Sequence, residues 1–239
     1  VSTEISNTFP EIFGSYIPSS LKSIGKFKLI GSFTYSNEKI VSDFELFNNK
    51  GNIYSSLIIS EFENIDNASY AGVFKGDKID LSNFISIPFL GKSNFEFTID
   101  GKGFVPQFLD SNLEGKVKTI IVNGYEYQNI DVFGNVSDKV FNGKINVNDQ
   151  NINLDFTGLI DYSDELIDFD FSTNIINANL GKFNLAVDDN FLSVKINTNL
   201  RGNSISTLIG DISFKDFVYG SKDNMYFFDE LVAQSRINN

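Results

Sequence analysis

The stretch Ile152-Asn153-Leu154-Asp155-Phe156-Thr157-Gly158-Leu159-Ile160 decides the fold. Ile152, Leu154, Phe156, Gly158 and Ile160 take every second place, and the residues between them are mostly polar. A period of two belongs to a β-strand with one apolar and one wet face. The arrangement recurs in Ile130, Val132, Gly134, Val136, in Phe27, Leu29, Gly31, Phe33 and in Phe95, Phe97, Ile99, Gly101. Glycine shares the apolar side each time, where a missing side chain lets a sheet curl. The sequence therefore predicts an all-β fold: an elongated, strongly curved antiparallel sheet, a β-taco or groove, with a few short helical turns.

Working outward, alternating runs fall at 26–35, 39–48, 52–61, 69–75, 92–103, 113–122, 125–136, 140–148, 151–162, 166–175, 182–188, 191–202, 209–219 and 225–236. Asn48-Asn49-Lys50-Gly51, Asn148-Asp149-Gln150-Asn151, Asp188-Asp189-Asn190 and Ser221-Lys222-Asp223-Asn224 separate runs with hairpin chemistry. Strands joined this way form an up-and-down meander, because parallel pairing would need crossover helices. Residues 1–25 have irregular apolar spacing broken by Gly14 and Pro18, and read as short helical turns ending at Gly25. Asp80–Ile85, Phe104–Asp110 and Asn203–Ile209 read as inserts, each a candidate turn of helix. No linker rich in Pro, Gly or Ser divides residues 26–239, which read as one continuous domain with a weak repeat of strand units.

Composition narrows the function. A net charge of −12 argues against nucleic acid and against a polybasic membrane contact. The chain has neither Cys nor His, which removes thiolate chemistry and the commonest metal ligand, and makes zinc, copper or haem improbable. Its 25 Phe against no Trp place aromatic content in side chains that carry no donor to satisfy. No apolar stretch approaches the ~20 residues of a membrane-spanning helix. Val1 opens a polar run without a signal-peptide pattern, and Glu230–Arg236 still reads as strand. The expectation is a middle segment of a longer polypeptide.

No chemical motif points to catalysis. Asp149, Asp155, Asp161, Asp164, Glu165, Asp168 and Asp170 are close in sequence, but Asp155, Asp168 and Asp170 alternate with apolar residues and belong to the outer face. Asp188-Asp189-Asn190 lacks the spaced acidic loop of a calcium site and reads as a turn. G-x-S-x-G and the phosphate-binding loop are absent. Asn67-Ala68-Ser69 and Asn135-Val136-Ser137 match the glycosylation sequon, a match common by chance in an Asn-rich chain. The expectation is a chain that is not an enzyme, with no catalytic, cofactor or metal site.

The segments Leu113–Val136, Phe141–Ser163 and Gly25–Thr34 resemble the TamB family, in particular the Bacteroidetes-type TamB and AsmA-like bridge proteins, and the likeness runs from about residue 10 to the end. The resemblance implies a β-taco in the periplasm, anchored to the inner membrane by a segment this chain lacks. It implies conduction of phospholipid toward the outer membrane and cooperation with an Omp85-family barrel in outer-membrane biogenesis and protein assembly.

The functional expectation is a groove that carries phospholipid acyl chains. Its lining would be Phe27, Leu29, Phe33, Phe95, Phe97, Ile99, Ile130, Val132, Val136, Ile145, Val147, Leu154, Phe156, Ile160, Phe169, Phe171, Phe183, Leu185, Val194 and Ile196. Two alternatives stand beside it. An outer-membrane β-barrel would show aromatic girdles and even strands. A β-sandwich interaction module would close its own apolar face and display exposed aromatics such as Tyr125 and Tyr127.

Overall fold

The computed structural model describes residues 27–64, 66–82, 89–104, 108–204, 207–221 and 223–236. They form thirteen strands: β1 (Lys28–Ser36), β2 (Lys39–Asn48), β3 (Gly51–Ser60), β4 (Ser69–Asp80), β5 (Leu90–Lys102), β6 (Asp110–Val122), β7 (Tyr125–Ser137), β8 (Val140–Asp149), β9 (Ile152–Asp161), β10 (Ile167–Asn179), β11 (Phe191–Gly202), β12 (Ile209–Gly220) and β13 (Met225–Ser235). All lie in one sheet in sequence order, each antiparallel to its neighbours. The meander is therefore as the alternation predicts. Residues 1–25 lie outside the described residues, as do parts of the three inserts (83–88, 105–107, 205–206).

Register is the organising feature. Opposed residues can be followed from strand to strand without a break: Gly31, Phe44, Ser55, Phe74, Phe97, Gly115, Val132, Ile145, Phe156, Thr173, Ile196, Phe214, Leu231. A second unbroken ladder begins at Phe33 and ends at Ala233, through Ser42, Leu57, Gly72, Ile99, Leu113, Gly134, Gly143, Gly158, Phe171, Thr198 and Ile212. Directly opposed residues in an antiparallel pair point to the same face, so both ladders lie on one face. Along these ladders the strands accumulate no stagger. A barrel needs a stagger to close, and among the described residues β1 and β13 are the two open edges of the sheet. This pairing separates the fold from the barrel alternative. Extensive backbone contact joins sequence neighbours only.

Glycine and phenylalanine oppose each other repeatedly along the ladders. Gly76 faces Phe95, Gly115 faces Phe97 and Gly158 faces Phe171. The Phe95 and Phe97 rings lie over their glycines. A Cβ at Gly115 would stand 2.6 Å from Phe97 Cδ1, and one at Gly143 2.8 Å from Phe141 Cζ. The glycines do not leave hollows in the apolar face. Gly76, Gly115, Gly134 and Gly143 make room for neighbouring rings to lie on the backbone, the arrangement by which aromatics compensate for glycine in sheets.

A second line crosses the sheet just outside the apolar ladders. Lys78, Asn129, Asn177 and Asp216 have φ of 52°, 53°, 55° and 51°. Register shifts accompany the line in β4, β10 and β12, so it is a row of bulge-like irregularities. Polar side chains hold it. Asn94 Oδ1 accepts from Lys78 N at 2.9 Å, Ser193 Oγ from Asn177 N at 2.8 Å, and Lys195 Nζ donates to Asp216 at 2.7 Å. Each left-handed residue resets the alternation, so β4 and β10 continue past the ends that a strict period of two predicts.

Residues 182–188, expected as a strand, belong instead to the β10–β11 connection. Its backbone closes local turns: Lys182 N bonds Asn179 O, Asn184 N bonds Gly181 O, and both Leu185 N and Ala186 N bond Leu180 O. Substituting Gly158 by Ala tests the ladder packing. Its φ is +150°, and the added methyl would meet Asp170 O and Phe171. Chemical denaturation is expected to show a loss of about 1–3 kcal/mol.

Candidate functional site

The candidate site is the apolar face itself. Four ladders build it. The expected lining residues Leu29, Phe95, Ile130, Val147, Leu154 and Val194 lie in the first. Phe97, Val132, Ile145, Phe156 and Ile196 lie in the second, the one that starts at Gly31. Phe33, Ile99 and Phe171 lie in the third, and Val136, Ile160 and Phe169 in the fourth. All are brought to one face. Phe27 precedes β1 and keeps the same alternation. The face also holds Phe44, Leu46, Phe74, Leu113, Phe141 and Phe214, which the expected lining omits. Their signal was present but diluted, since Phe44 and Leu46 alternate with Val41 and Phe47 on the other face.

Ring contacts continue across strands. Phe141, Phe156 and Phe171 follow one another at centroid distances of 6.4 Å and 5.0 Å, and Phe74, Phe95 and Phe97 at 5.8 Å and 5.6 Å. Thirteen strands at ~4.8 Å carry this surface over roughly 58 Å, and four ladders two residues apart give it a width of roughly 20 Å. Most of its side chains are only half-buried, for among the described residues no second layer lies over them. Small polar residues fill places beside the large ones. Ser42, Ser55, Ser111, Thr173 and Thr198 are buried on this face, and the hydroxyls of Ser55 and Thr173 have no partner.

One end of the face is covered. The β10–β11 connection folds back over it and inserts Phe183, which is only 3% exposed and packs with Ile152 and Ala178. Phe183 stacks on Tyr127 at 5.3 Å and meets Tyr125 edge-on at 4.8 Å. Asn123 Nδ2 donates to Phe183 O at 3.4 Å and Asn184 Nδ2 returns a bond to Asn123 O at 3.0 Å, tying the connection to the β6–β7 turn. Phe183 therefore fills the end of the face, and Leu185, 67% exposed, points into solvent. Neither lines a strand. The alternation of residues 182–188 is that of a loop with one anchoring ring.

Tyr125 and Tyr127 belong to the apolar face as well, contrary to the exposed pair a sandwich module would display. The left-handed Asn129 shifts the alternation between Ile130 and Tyr127, turning both rings inward. The Tyr125 hydroxyl donates to Asp149 Oδ1 at 2.5 Å and accepts from Asn151 Nδ2 at 2.8 Å. The buried Asp149 also accepts from Gln128 N at 3.0 Å and Asn151 N at 2.9 Å. Burial pushes the Tyr127 phenol up, with Tyr125 and Asp149 acting in the same direction. Burial likewise raises Tyr125, against the bond from Asn151.

The opposite face is polar. Directly opposed partners pair across strands: Lys75 with Glu96 at 2.9 Å, Lys116 with Asp131 at 3.4 Å, Arg201 with Asp168 at 3.1 Å. Asp155 accepts from Asn146 at 2.6 Å, so Asp155, Asp168 and Asp170 lie on this face, as their alternation requires. Exposed pairs of this kind contribute ~0–1 kcal/mol each and chiefly keep the face wet. A shallow depression of about 660 Å³ opens here, bordered by Ser32, Asp43, Glu45, Tyr54 and Lys75. Among the described residues no cluster of three His, Cys, Asp or Glu could hold a metal ion, and no helix is long and apolar enough to cross a membrane.

No protein-family model, curated protein or solved structure matches this chain.

Two outcomes follow for the covered end. Phe183→Ala should release residues 180–190 locally, with faster hydrogen exchange at the Leu185 and Ala186 amides and unchanged protection in β7–β10. Raised phenol pKa values stabilise the folded form fully below the ordinary tyrosine value near 10 and lose that contribution as pH rises through the raised values. NMR shifts of the Phe183 ring should therefore report release of the connection at strongly alkaline pH, and Tyr127→Phe should move that release upward.

Proposed function

We propose that this chain is a section of a groove that solvates lipid acyl chains along its apolar face. The observation that carries the reading is the continuity of the apolar ladders over the whole sheet, with no second layer above them among the described residues. Each large apolar side chain left in water forgoes ~1.5–3 kcal/mol of burial. A hydrocarbon occupant relieves that cost and needs no specific polar partner, which suits a surface of Phe, Ile, Leu and Val.

A bend toward the apolar face fits the same observations. At Gly31, Gly72, Gly115, Gly143 and Gly158 a Cβ would collide with the carbonyl oxygen of Asp43, Ser56, Glu96, Phe133 or Asp170 on the adjacent strand. The backbones close up on the side from which the glycines omit a side chain, which is the inner side of a curl. Headgroups would stay in water at the strand ends, and the acidic polar face would form the outside. The sequence resemblance adds a periplasmic setting, phospholipid as the cargo and an Omp85-family barrel as the receiving partner. This sequence holds no nucleotide-binding motif, and movement along the groove is proposed as passive.

The chain expressed in a Gram-negative host is expected to retain phospholipid through purification, detected by native mass spectrometry. Phe156→Asp and Val132→Asp, both in the second ladder, should abolish that retention while the circular dichroism of the sheet persists. A lipid-free unmodified chain contradicts the proposal. Global unfolding of both variants favours a sealed core over a groove.

A further inference from the structure

The two open edges of the sheet differ in how they are guarded. Every residue of β1 and of β13 is exposed. Long exposed edges are usually protected by charge. β13 carries Asp229 and Glu230 at its centre. Two β13 strands meeting antiparallel about a two-fold axis at Asp229 would oppose the two Asp229 carboxylates directly, with Glu230 of each copy one position away. β1 has no such guard. Its one charged residue is Lys28, at its start.

The turn after β1 shows which backbone groups are free. Asn37 and Glu38, with φ of 52° and 61°, form a two-residue turn between Ser36 and Lys39. In that geometry Ser36 and Lys39 exchange hydrogen bonds, and so do the other even-numbered residues of β1 with their partners. The N–H and C=O groups of Leu29, Gly31, Phe33 and Tyr35 then point outward. Among the described residues no strand pairs with that edge.

We propose that β1 is a self-complementary interface through which two copies of this chain join edge to edge, antiparallel, about a two-fold axis at Ser32. In this register Leu29 opposes Tyr35 of the second copy, Gly31 opposes Phe33, and Ser32 opposes Ser32. The outward-pointing residues pair with one another and form roughly eight backbone hydrogen bonds. All nine positions match face to face, and no like charges meet. The Gly31–Phe33 opposition repeats the Gly–Phe pairs already used between β1 and β2, β4 and β5, and β5 and β6. Phe33 and Tyr35, 59% and 68% exposed, gain a neighbour. Such an isologous contact closes at two copies. The apolar ladders of the two sheets then lie on one continuous face. The inference stands on edge geometry and does not depend on what that face carries.

Cysteine cross-linking reads the register, since the chain has no thiol of its own. At the axis Ser32 is a non-hydrogen-bonded pair, with a Cα separation of ~4.5 Å, inside the ~4.4–6.8 Å range of disulfides. The unmodified chain is expected to sediment as a dimer. Ser32→Cys should give a disulfide-linked dimer under mild oxidation. Ile30→Cys and Thr34→Cys should not cross-link alone but should do so when mixed. Ser32→Glu, which sets two carboxylates face to face, should yield a monomer with unchanged circular dichroism. A monomeric unmodified chain overturns the proposal, as does a dimer that survives Ser32→Glu or cross-links through Asp229→Cys instead.

Discussion

In-register pairing between successive strands is the constraint on which the rest of this structure depends. Because Gly31 and Leu231 stand at the two ends of one unbroken ladder, every strand contributes to the same face at the same height. A one-residue slip at any pair would turn all later apolar residues outward. The absence of stagger also keeps the sheet open, since closure into a barrel requires shear. An open sheet with one apolar face is thus a direct consequence of how the hairpins pair.

The apolar face is paved, not hollowed. Rings of Phe95, Phe97 and Phe141 lie against glycines of neighbouring strands, so large residues and missing side chains complement each other in the plane of the sheet. Small hydroxyl residues do similar work between Phe44 and Phe74 at Ser55, and between Phe156 and Ile196 at Thr173. At one end this paving meets a true local core under Phe183. The face therefore has a covered end, and beyond it stretches of exposed aromatic and aliphatic surface.

Much of this was legible from alternation. Strands such as Ile152–Asp161 announce themselves because both faces are clean, and their residues meet on one face as expected. Legibility fails where a backbone irregularity changes the period. Lys78 and Asn177 carry β4 and β10 past their apparent ends, and Asn129 turns Tyr125 and Tyr127 from the polar to the apolar side. A left-handed Asn or Lys inside a strand has no sequence mark that separates it from an ordinary polar residue. Phe183 failed for a different reason. Alternation in a short stretch is the same in a strand and in a loop anchored by a single ring, and only the tertiary partners Tyr125 and Tyr127 distinguish them.

The proposed occupant of this face is hydrocarbon, whose chemistry matches a lining dominated by Phe, Ile, Leu and Val with small hydroxyls between them. The most direct measurement places a photo-crosslinking phenylalanine analogue at Phe97, on the apolar face, and separately at its neighbour Thr98, on the polar face, and identifies the adducts formed in cells by mass spectrometry. Lipid adducts at position 97 and none at position 98 are the predicted result. Adducts to protein alone at position 97, or equal lipid labelling at both positions, would contradict a lipid-bearing face.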